Sequence, residues 1–157
     1  MTPHEPPTPK RGRRPEGSLA PGDSPGFLFW RVTLRWQRAV VAALRPLGLT
    51  HVQFVLLATA WWLTRGLGER PTQRRLAEHA ATDPMMTSQV LRVLEARGLV
   101  TRTADPHDSR ARRLAVTAAG AALAQEAIRV VEAADAEFFA PVGDRDALLG
   151  ILRRLAG

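Results

Sequence analysis

The stretch HVQFVLLATAWWLTR, at residues 51–65, constrains the fold most strongly because it is apolar on nearly every side of a helix. Thr50, followed by Gln53 three residues later, matches a capping box and predicts a helix that ends near Arg65. A helix that is apolar all round has to be surrounded by other elements. We therefore expect residues 50–65 to form the central and most buried helix of the domain.

A second apolar helix is predicted before the central one. Ser24 followed by Pro25 has the pattern of a helix start, and helical periodicity continues to about residue 45. Arginines mark one narrow face of this helix, and the rest of its circumference carries apolar residues such as Phe29, Trp30 and Trp36. So wide an apolar arc is more than one neighbouring element can cover. We expect a second subunit to bury it.

The chain after the central helix is predicted to form four helices and a hairpin. Thr72 caps a short helix, and Asp83 begins another after the tight turn AATD. The segments LVTRTA and RRLAVT follow as two strands around a charged loop, and Thr117 and Asp144 cap two further helices. The order is α-α-α-α-β-β-α-α, with room for a short extra strand before the third helix. This is a mainly α fold with a small β-hairpin wing.

Two helices joined by a tight turn and followed by a hairpin form a winged helix-turn-helix, whose second helix reads the major groove of DNA. At about 100° per residue, residues 84–97 place their polar side chains opposite their apolar face. The predicted base-reading residues are Met85, Ser88, Gln89 and Arg92. An amide pairs with adenine, a guanidinium with guanine or phosphate, and a thioether with the thymine methyl. The alternative is an ordinary solvated face.

The charged loop DPHDSRARR, at residues 105–113, is predicted to be the tip of the wing. Arg110 is placed to enter the minor groove, where negative potential attracts a guanidinium group. Asp108 is expected to hold that guanidinium, while Arg112 and Arg113 are expected to contact phosphates. At the start of the short helix, Thr72 and Arg74 are further candidates for phosphate contacts.

The composition narrows the class of protein. The chain has 157 residues, no cysteine and a net charge of +7 at pH 7. This length suits one domain, and the absence of cysteine excludes a disulfide scaffold and a Cys-type zinc site. The basic charge favours a polyanionic partner. Residues 1–23 are rich in proline, glycine and charge, which predicts a disordered tail.

Neither catalysis nor a metal site is predicted. The four histidines show no ligand spacing, and there is no glycine-rich phosphate loop and no nucleophile with a paired base. The N-terminus lacks the apolar core of a signal peptide, and the longest apolar run, residues 52–63, is too short to span a bilayer. We expect a cytoplasmic protein that is not an enzyme and uses no cofactor, metal or membrane.

Three segments, in order and spacing, resemble the MarR family of bacterial transcriptional regulators: LGLTHVQFVLLA, PTQRRLAEHAATDPMMTSQVLRVLEARGLVTR and DPHDSRARRLAVTAAG. The resemblance covers about residues 27–157. It implies a MarR-type domain at residues 24–157, with the winged helix-turn-helix at about 50–117 and dimerisation helices at about 25–46 and 118–156. It also implies a homodimer that binds double-stranded DNA at a pseudo-palindromic promoter site and represses transcription.

The resemblance further implies roles for individual residues. It gives the reading-helix role to the four residues named above and the wing role to Asp108 and Arg110. The reading helix starts with PMM, where many relatives have small hydroxyl residues. Relatives are often released from DNA by a small aromatic or phenolic ligand bound between the dimerisation helices and the winged domain. The residues expected to line such a pocket are Trp30, His51, Phe54 and Trp61. Core packing is the alternative for each of them.

A second interpretation comes from a different class of function. A winged helix can also act as a protein-interaction module, with its hairpin packed on a partner and no specific DNA readout. Salt distinguishes the two, because binding through several phosphates weakens steeply as salt is added, whereas an apolar interface hardly responds.

Overall fold

The computed structural model describes residues 19–106 and 112–157. Its helices and strands, in chain order, are α1 (Pro25–Leu44), α2 (His51–Trp61), α3 (Gln73–Ala80), α4 (Pro84–Ala96), β1 (Val100–Ala104), β2 (Arg112–Val116), α5 (Ala118–Phe139) and α6 (Arg145–Ala156). This confirms the predicted order and the mainly α fold with one hairpin. The chain divides within α1 into two compact units, one ending at Leu34 and the other covering Arg35–Gly157.

Helix α2 lies at the centre of the second unit. Its residues Leu56, Leu57 and Ala60, and Leu63 just beyond it, have no solvent exposure. Buried side chains of the surrounding elements belong to the same cluster, among them Leu44, Leu76, Leu91, Leu114 and Ala127. Burial of a leucine contributes roughly 1.5–3 kcal/mol relative to leaving it exposed. The predicted central helix is therefore confirmed.

The end of this central helix differs from the prediction. Regular α-helical structure stops at Trp61, and Trp62–Gly66 forms a π-helical turn in which the amide of Leu67 donates to the carbonyl of Trp62 at 3.0 Å. A Cβ atom at Gly66 would lie 2.8 Å from Cε3 of the Trp62 ring. Only a glycine at this position therefore lets the indole lie against the backbone. Helical periodicity carries no signal for this local widening.

The helix starts agree with the predicted caps. The Thr50 hydroxyl accepts from the amide of Gln53 at 3.2 Å, and the Gln53 side chain accepts from the amide of Thr50 at 3.1 Å. The other predicted caps each accept from the first turn of their helix, and they are Thr72, Asp83, Thr117 and Asp144. Each cap satisfies amides that otherwise have no partner within the helix.

The two strands form an antiparallel hairpin that starts with Val100 opposite Val116. The extra strand foreseen before α3 is reduced to a single antiparallel bridge between Thr72 and Arg113. The hairpin tip at residues 107–111 lies outside the described residues, and so do residues 1–18 of the predicted tail. The last residues of that tail, Pro21–Asp23, form one 3-10 turn.

Large apolar side chains remain exposed at both ends of the chain. Phe29 and Trp30 on α1 are 60% and 59% exposed, and Leu155 on α6 is 72% exposed. Single exposed apolar residues are ordinary, but a run of them along a helix marks an interaction surface. The exposed residues of α1 belong to the apolar arc for which the sequence predicts a second subunit, and those of α6 lie in the segment to which the resemblance gives a dimerisation role.

No single helix among the described residues is long and apolar enough to cross a membrane. The segments Pro25–Leu47 and His51–Gly66 pass a test of length and composition only when they are taken together as a bent pair.

Gly120 provides a test of the packing between α5 and the segment before β1. A Cβ atom there would lie 1.9 Å from the carbonyl oxygen of Leu99, whereas at Gly150 the nearest atom would be Nη1 of Arg154 at 3.8 Å. We expect Gly120→Ala to lower the free energy of unfolding by about 2 kcal/mol or more through overpacking. The matched control Gly150→Ala should leave it unchanged or raise it by up to about 1 kcal/mol. Urea unfolding measures both, and equal effects would contradict the packing described here.

Candidate nucleic-acid interface

Helix α4 has one buried face and one exposed polar face. Thr87, Leu91 and Leu94 have no solvent exposure. On the opposite side lies the reading strip, which we define as Met85, Ser88, Gln89 and Arg92. Met85 is 72% exposed, Gln89 and Arg92 are exposed, and Ser88 is half-buried. The predicted orientation of this helix is therefore confirmed, while the contacts of the strip with DNA stay a prediction.

Polar contacts hold both ends of α4. At its start, a carboxylate oxygen of Asp83 accepts from the amides of Met85 at 2.9 Å and Met86 at 3.0 Å. At its end, Nη1 of Arg97 donates to the carbonyl of Gly48 at 2.9 Å. The buried face of α4, together with the contact at its end, sets the rotation of the helix about its axis.

The turn between α3 and α4 is as tight as predicted. Ala81 adopts a left-handed conformation with φ of 51°, which is unusual for a residue other than glycine. Within the turn, the Thr82 hydroxyl lies 2.8 Å from that of Thr87, which donates to the carbonyl of Asp83 at 2.8 Å. The buried hydroxyl of Thr87 thus has partners in the turn, and it joins the turn to the first residues of α4.

The hairpin is clamped to α4 through its first strand. Nε of Arg102 donates to Oε2 of Glu95 at 2.9 Å, and Nη2 donates to the same oxygen at 2.5 Å. Hydrogen bonding to this guanidinium lowers the pKa of Glu95. The pair is partly shielded from water, because the Arg102 side chain is only 19% exposed. The wing and the reading helix are therefore linked by an ion pair.

The second strand is anchored to the segment before α3. Nε of Arg113 donates to the carboxylate of Asp105 at 2.6 Å, and its Nη1 donates to the carbonyl of Arg70 at 2.9 Å. The amide of Leu114 donates to the carbonyl of Pro71 at 2.8 Å. Asp105 is only 7% exposed. Arg113, foreseen as a phosphate contact, therefore has a structural role at the base of the wing.

The remaining candidate residues for DNA contacts differ in their exposure and in their hydrogen-bond partners. Arg112 is exposed next to the wing tip, while Asp108 and Arg110 lie outside the described residues. Thr72 caps α3 by accepting from the amide of Arg75 at 3.2 Å. Arg74 donates to Glu78 at 2.8 Å, but its side chain is 88% exposed. An exposed pair of this kind contributes little, so a phosphate can replace the carboxylate. None of these roles is tested by the geometry.

The four residues foreseen for an effector pocket have different surroundings within the part of the chain that the structure describes. His51 and Trp61 lie ten residues apart on α2, which is ~15 Å along a helix axis. Phe54 packs against the hydrophobic core, and Trp30 is exposed in the other unit. Trp61 lines a cavity of about 480 Å³. The effector pocket therefore stays a prediction, and Trp61 is the one of its four predicted residues that lines this cavity.

Sequence reasoning missed the residues that other elements bring to this cavity. His79 comes from the end of α3, and Ile128 and Glu132 come from α5. Ile128 and Glu132 are four residues apart, and this spacing puts them on the same face of a helix. It is the one feature of the sequence that could have connected them. It does not show which helix that face meets.

His51 instead contacts a tryptophan and lies near an acid. Its ring is edge-to-face with that of Trp36, with centroids 5.2 Å apart, and Nε1 of Trp36 donates to Oδ1 of Asp135 at 2.7 Å. Burial lowers the pKa of His51, and the charge of Asp135 opposes that shift. These three residues join α1, α2 and α5 within the unit Arg35–Gly157.

An outward polar strip on the second helix of a helix-turn-helix, with a hairpin clamped beside it, defines a winged helix-turn-helix of the DNA-binding class. The sequence profile of the MarR family matches residues 49–111. The HTH-type transcriptional regulator YdcH of Bacillus subtilis is 41% identical over 135 residues, which cover 86% of this chain and 91% of that protein. The chain belongs to the MarR family, and it is a DNA-binding transcriptional regulator, not an enzyme.

Solved structures agree with this assignment. CouR from Rhodococcus jostii, bound to p-coumaroyl-CoA, superposes with a TM-score of 0.74 at 32% identity, over 88% of this chain and 93% of that one. The MarR family protein Rv2887 of Mycobacterium tuberculosis, in complex with DNA, gives a TM-score of 0.67 at 33% identity, over 85% and 98%. Both neighbours share the fold over most of their length.

The surroundings of His51 predict a pH-dependent stability. Since the folded protein holds this proton less readily than the unfolded chain, stability should fall as the pH drops below the ordinary histidine pKa of 6.5. Between about pH 7.5 and about pH 5, the melting temperature of His51→Gln should fall by less than that of the wild type. His79→Gln, at an exposed histidine, is the control. Identical pH profiles for wild type and His51→Gln would contradict this account.

Proposed function

We propose that the chain is a cytoplasmic repressor that binds a pseudo-palindromic promoter site as a homodimer and releases it when a small ligand binds. The observation that carries the proposal is the reading strip, which lies opposite a fully buried face on a capped helix whose last turn is tied to the segment before α2. A strip fixed in this way suits the major groove. It needs no rearrangement of the helix before it meets DNA.

The side chains of the strip suit base recognition. The Gln89 amide can pair with N6 and N7 of adenine, and the Arg92 guanidinium with O6 and N7 of guanine or with a phosphate. Arg92 has no ion-pair partner among the described residues, whereas Arg102 and Arg113 both have one. Arg92 is therefore available to DNA. The exposed thioether of Met85 can contact a thymine methyl group.

The wing supports the same interface. Its base is clamped to α4 through Arg102 and to the segment before α3 through Arg113. A wing clamped at its base is well placed to present Arg110 to the minor groove beside the one read by α4. Arg112, at the start of β2, would contact the phosphates between the two grooves.

A homodimer accounts for the exposed apolar side chains of α1 and α6. Two-fold symmetry would bury Phe29, Trp30 and Leu155 and would duplicate the reading strip. Two reading helices ~34 Å apart meet successive major grooves on one side of a duplex, and such a dimer requires a pseudo-palindromic site. Rv2887 in complex with DNA and CouR bound to p-coumaroyl-CoA support a regulator that recognises both DNA and a small molecule.

Substitutions in the reading strip test the proposal. In a gel-shift titration on the intergenic DNA beside its own gene, Gln89→Ala should weaken binding by ~1–3 kcal/mol per half-site and relax the preference at one base position. Arg92→Ala should weaken binding and also reduce the salt dependence if this guanidinium contacts a phosphate. Unchanged affinity in both variants would overturn the assignment.

The matched control is Arg129→Ala, which removes the same charge from an exposed pair with Glu126 on α5. It should leave DNA affinity close to that of the wild type. Wild-type affinity should also fall steeply between about 50 and 200 mM salt, as expected for several phosphate contacts. An affinity that does not respond to salt would favour the protein-interaction module instead.

A further inference from the structure

The cavity of about 480 Å³ has walls from three helical segments of the winged domain. Trp61 and Trp62 come from the end of α2 and the π-helical turn, His79 from the last turn of α3, and Ile128 and Glu132 from α5. This cavity is open to solvent over much of its extent, and its walls are predominantly apolar with a few polar groups, as is typical of small-molecule sites. The polar groups therefore decide which ligand the cavity takes.

The aromatic wall is shaped by the π-helical turn. Trp62 is 50% exposed, and its ring lies against Gly66, where any side chain would collide with it. Because one face of the indole already packs against Gly66, its other face can contact a ligand with little further loss of side-chain entropy. Single π-helical turns are frequent at functional sites, although such a turn alone does not identify a ligand.

The formal charge of the residues that line the cavity is negative when His79 is counted as neutral. Glu132 is an exposed carboxylate with no hydrogen-bond or ion-pair partner among the described residues. The nearest basic residue along α5, Arg129, already pairs with Glu126 at a contact of 2.5 Å. No arginine or lysine is among the described residues that line the cavity. A carboxylate ligand would therefore face like charge without a guanidinium to hold it.

We propose that this cavity binds an organic cation, in which an ammonium group is attached to an aromatic or other apolar body. The ammonium would pair with Glu132 and lie over the indole of Trp62, because an aromatic face attracts a cation within about 6 Å of its centroid. The apolar body would contact Trp61 and Ile128. The inference rests on the ligand response in the proposed function and gives that ligand a charge class.

The position of the cavity offers a route to DNA release. His79 lies two residues before Ala81, the left-handed residue of the turn that leads into α4. A ligand held between α3 and α5 would therefore act on the turn that orients the reading strip. If the ligand binds the released form more tightly than the DNA-competent form, it shifts the equilibrium between them towards release.

The test uses the full-length protein and three probes of similar size: benzyltrimethylammonium, benzyl alcohol and phenylacetate. Titration followed by tryptophan fluorescence and by calorimetry should show the cation binding at least tenfold more tightly than phenylacetate. Glu132→Gln should weaken cation binding at least fivefold, and Trp62→Leu should weaken it too. Glu137→Gln, which removes an exposed carboxylate elsewhere on α5, should leave it unchanged.

Equal binding of the cation and phenylacetate, or cation binding that is unaffected by Glu132→Gln, would overturn the inference. Gel shifts in the presence of each probe separate this outcome from failure of the proposed function. Specific DNA binding with no cation site would leave the regulator assignment intact and contradict only the cavity. A Glu132-dependent cation site with no effect on DNA affinity would support the cavity and contradict the ligand response.

Discussion

The removal of α2 from water is the constraint on which the rest of the structure depends. Leu56, Leu57 and Ala60 are fully buried, and no residue of the helix is more than partly exposed. Helices α3, α4 and α5 and strand β2 all contact it. The helix proposed to read DNA and the helix expected to join the two subunits therefore share one support, and a change in the packing of α2 would alter both.

Arginines in this chain have two kinds of role, and the surroundings of each decide which one applies. Arg102 and Arg113 pair with acids inside the fold and hold the hairpin in place. Arg97 donates to a backbone carbonyl and holds the end of α4. Arg92 has no ion-pair partner among the described residues and lies on the reading strip. Arginines that pair within the fold therefore position the interface, while Arg92 is available for contact with phosphates and bases.

Local signals explain what the sequence could predict. Caps such as Thr50 and Asp83 depend on residues two or three positions away, and the buried face of α4 depends on its own periodicity. The π-helical turn was not predictable because the periodicity of a sequence carries no signal for it. The structural role of Arg113 and the location of Glu132 at a cavity depend on contacts between distant segments, for which one sequence carries no periodic signal.

The central claim is that two copies of the reading strip address one duplex from the same side. Hydroxyl-radical footprinting of the wild-type protein on its promoter DNA tests it most directly. The account predicts two symmetric blocks of protection on one face of the helix, with centres about 10 base pairs apart. A single block, or protection spread evenly around the duplex, would contradict it.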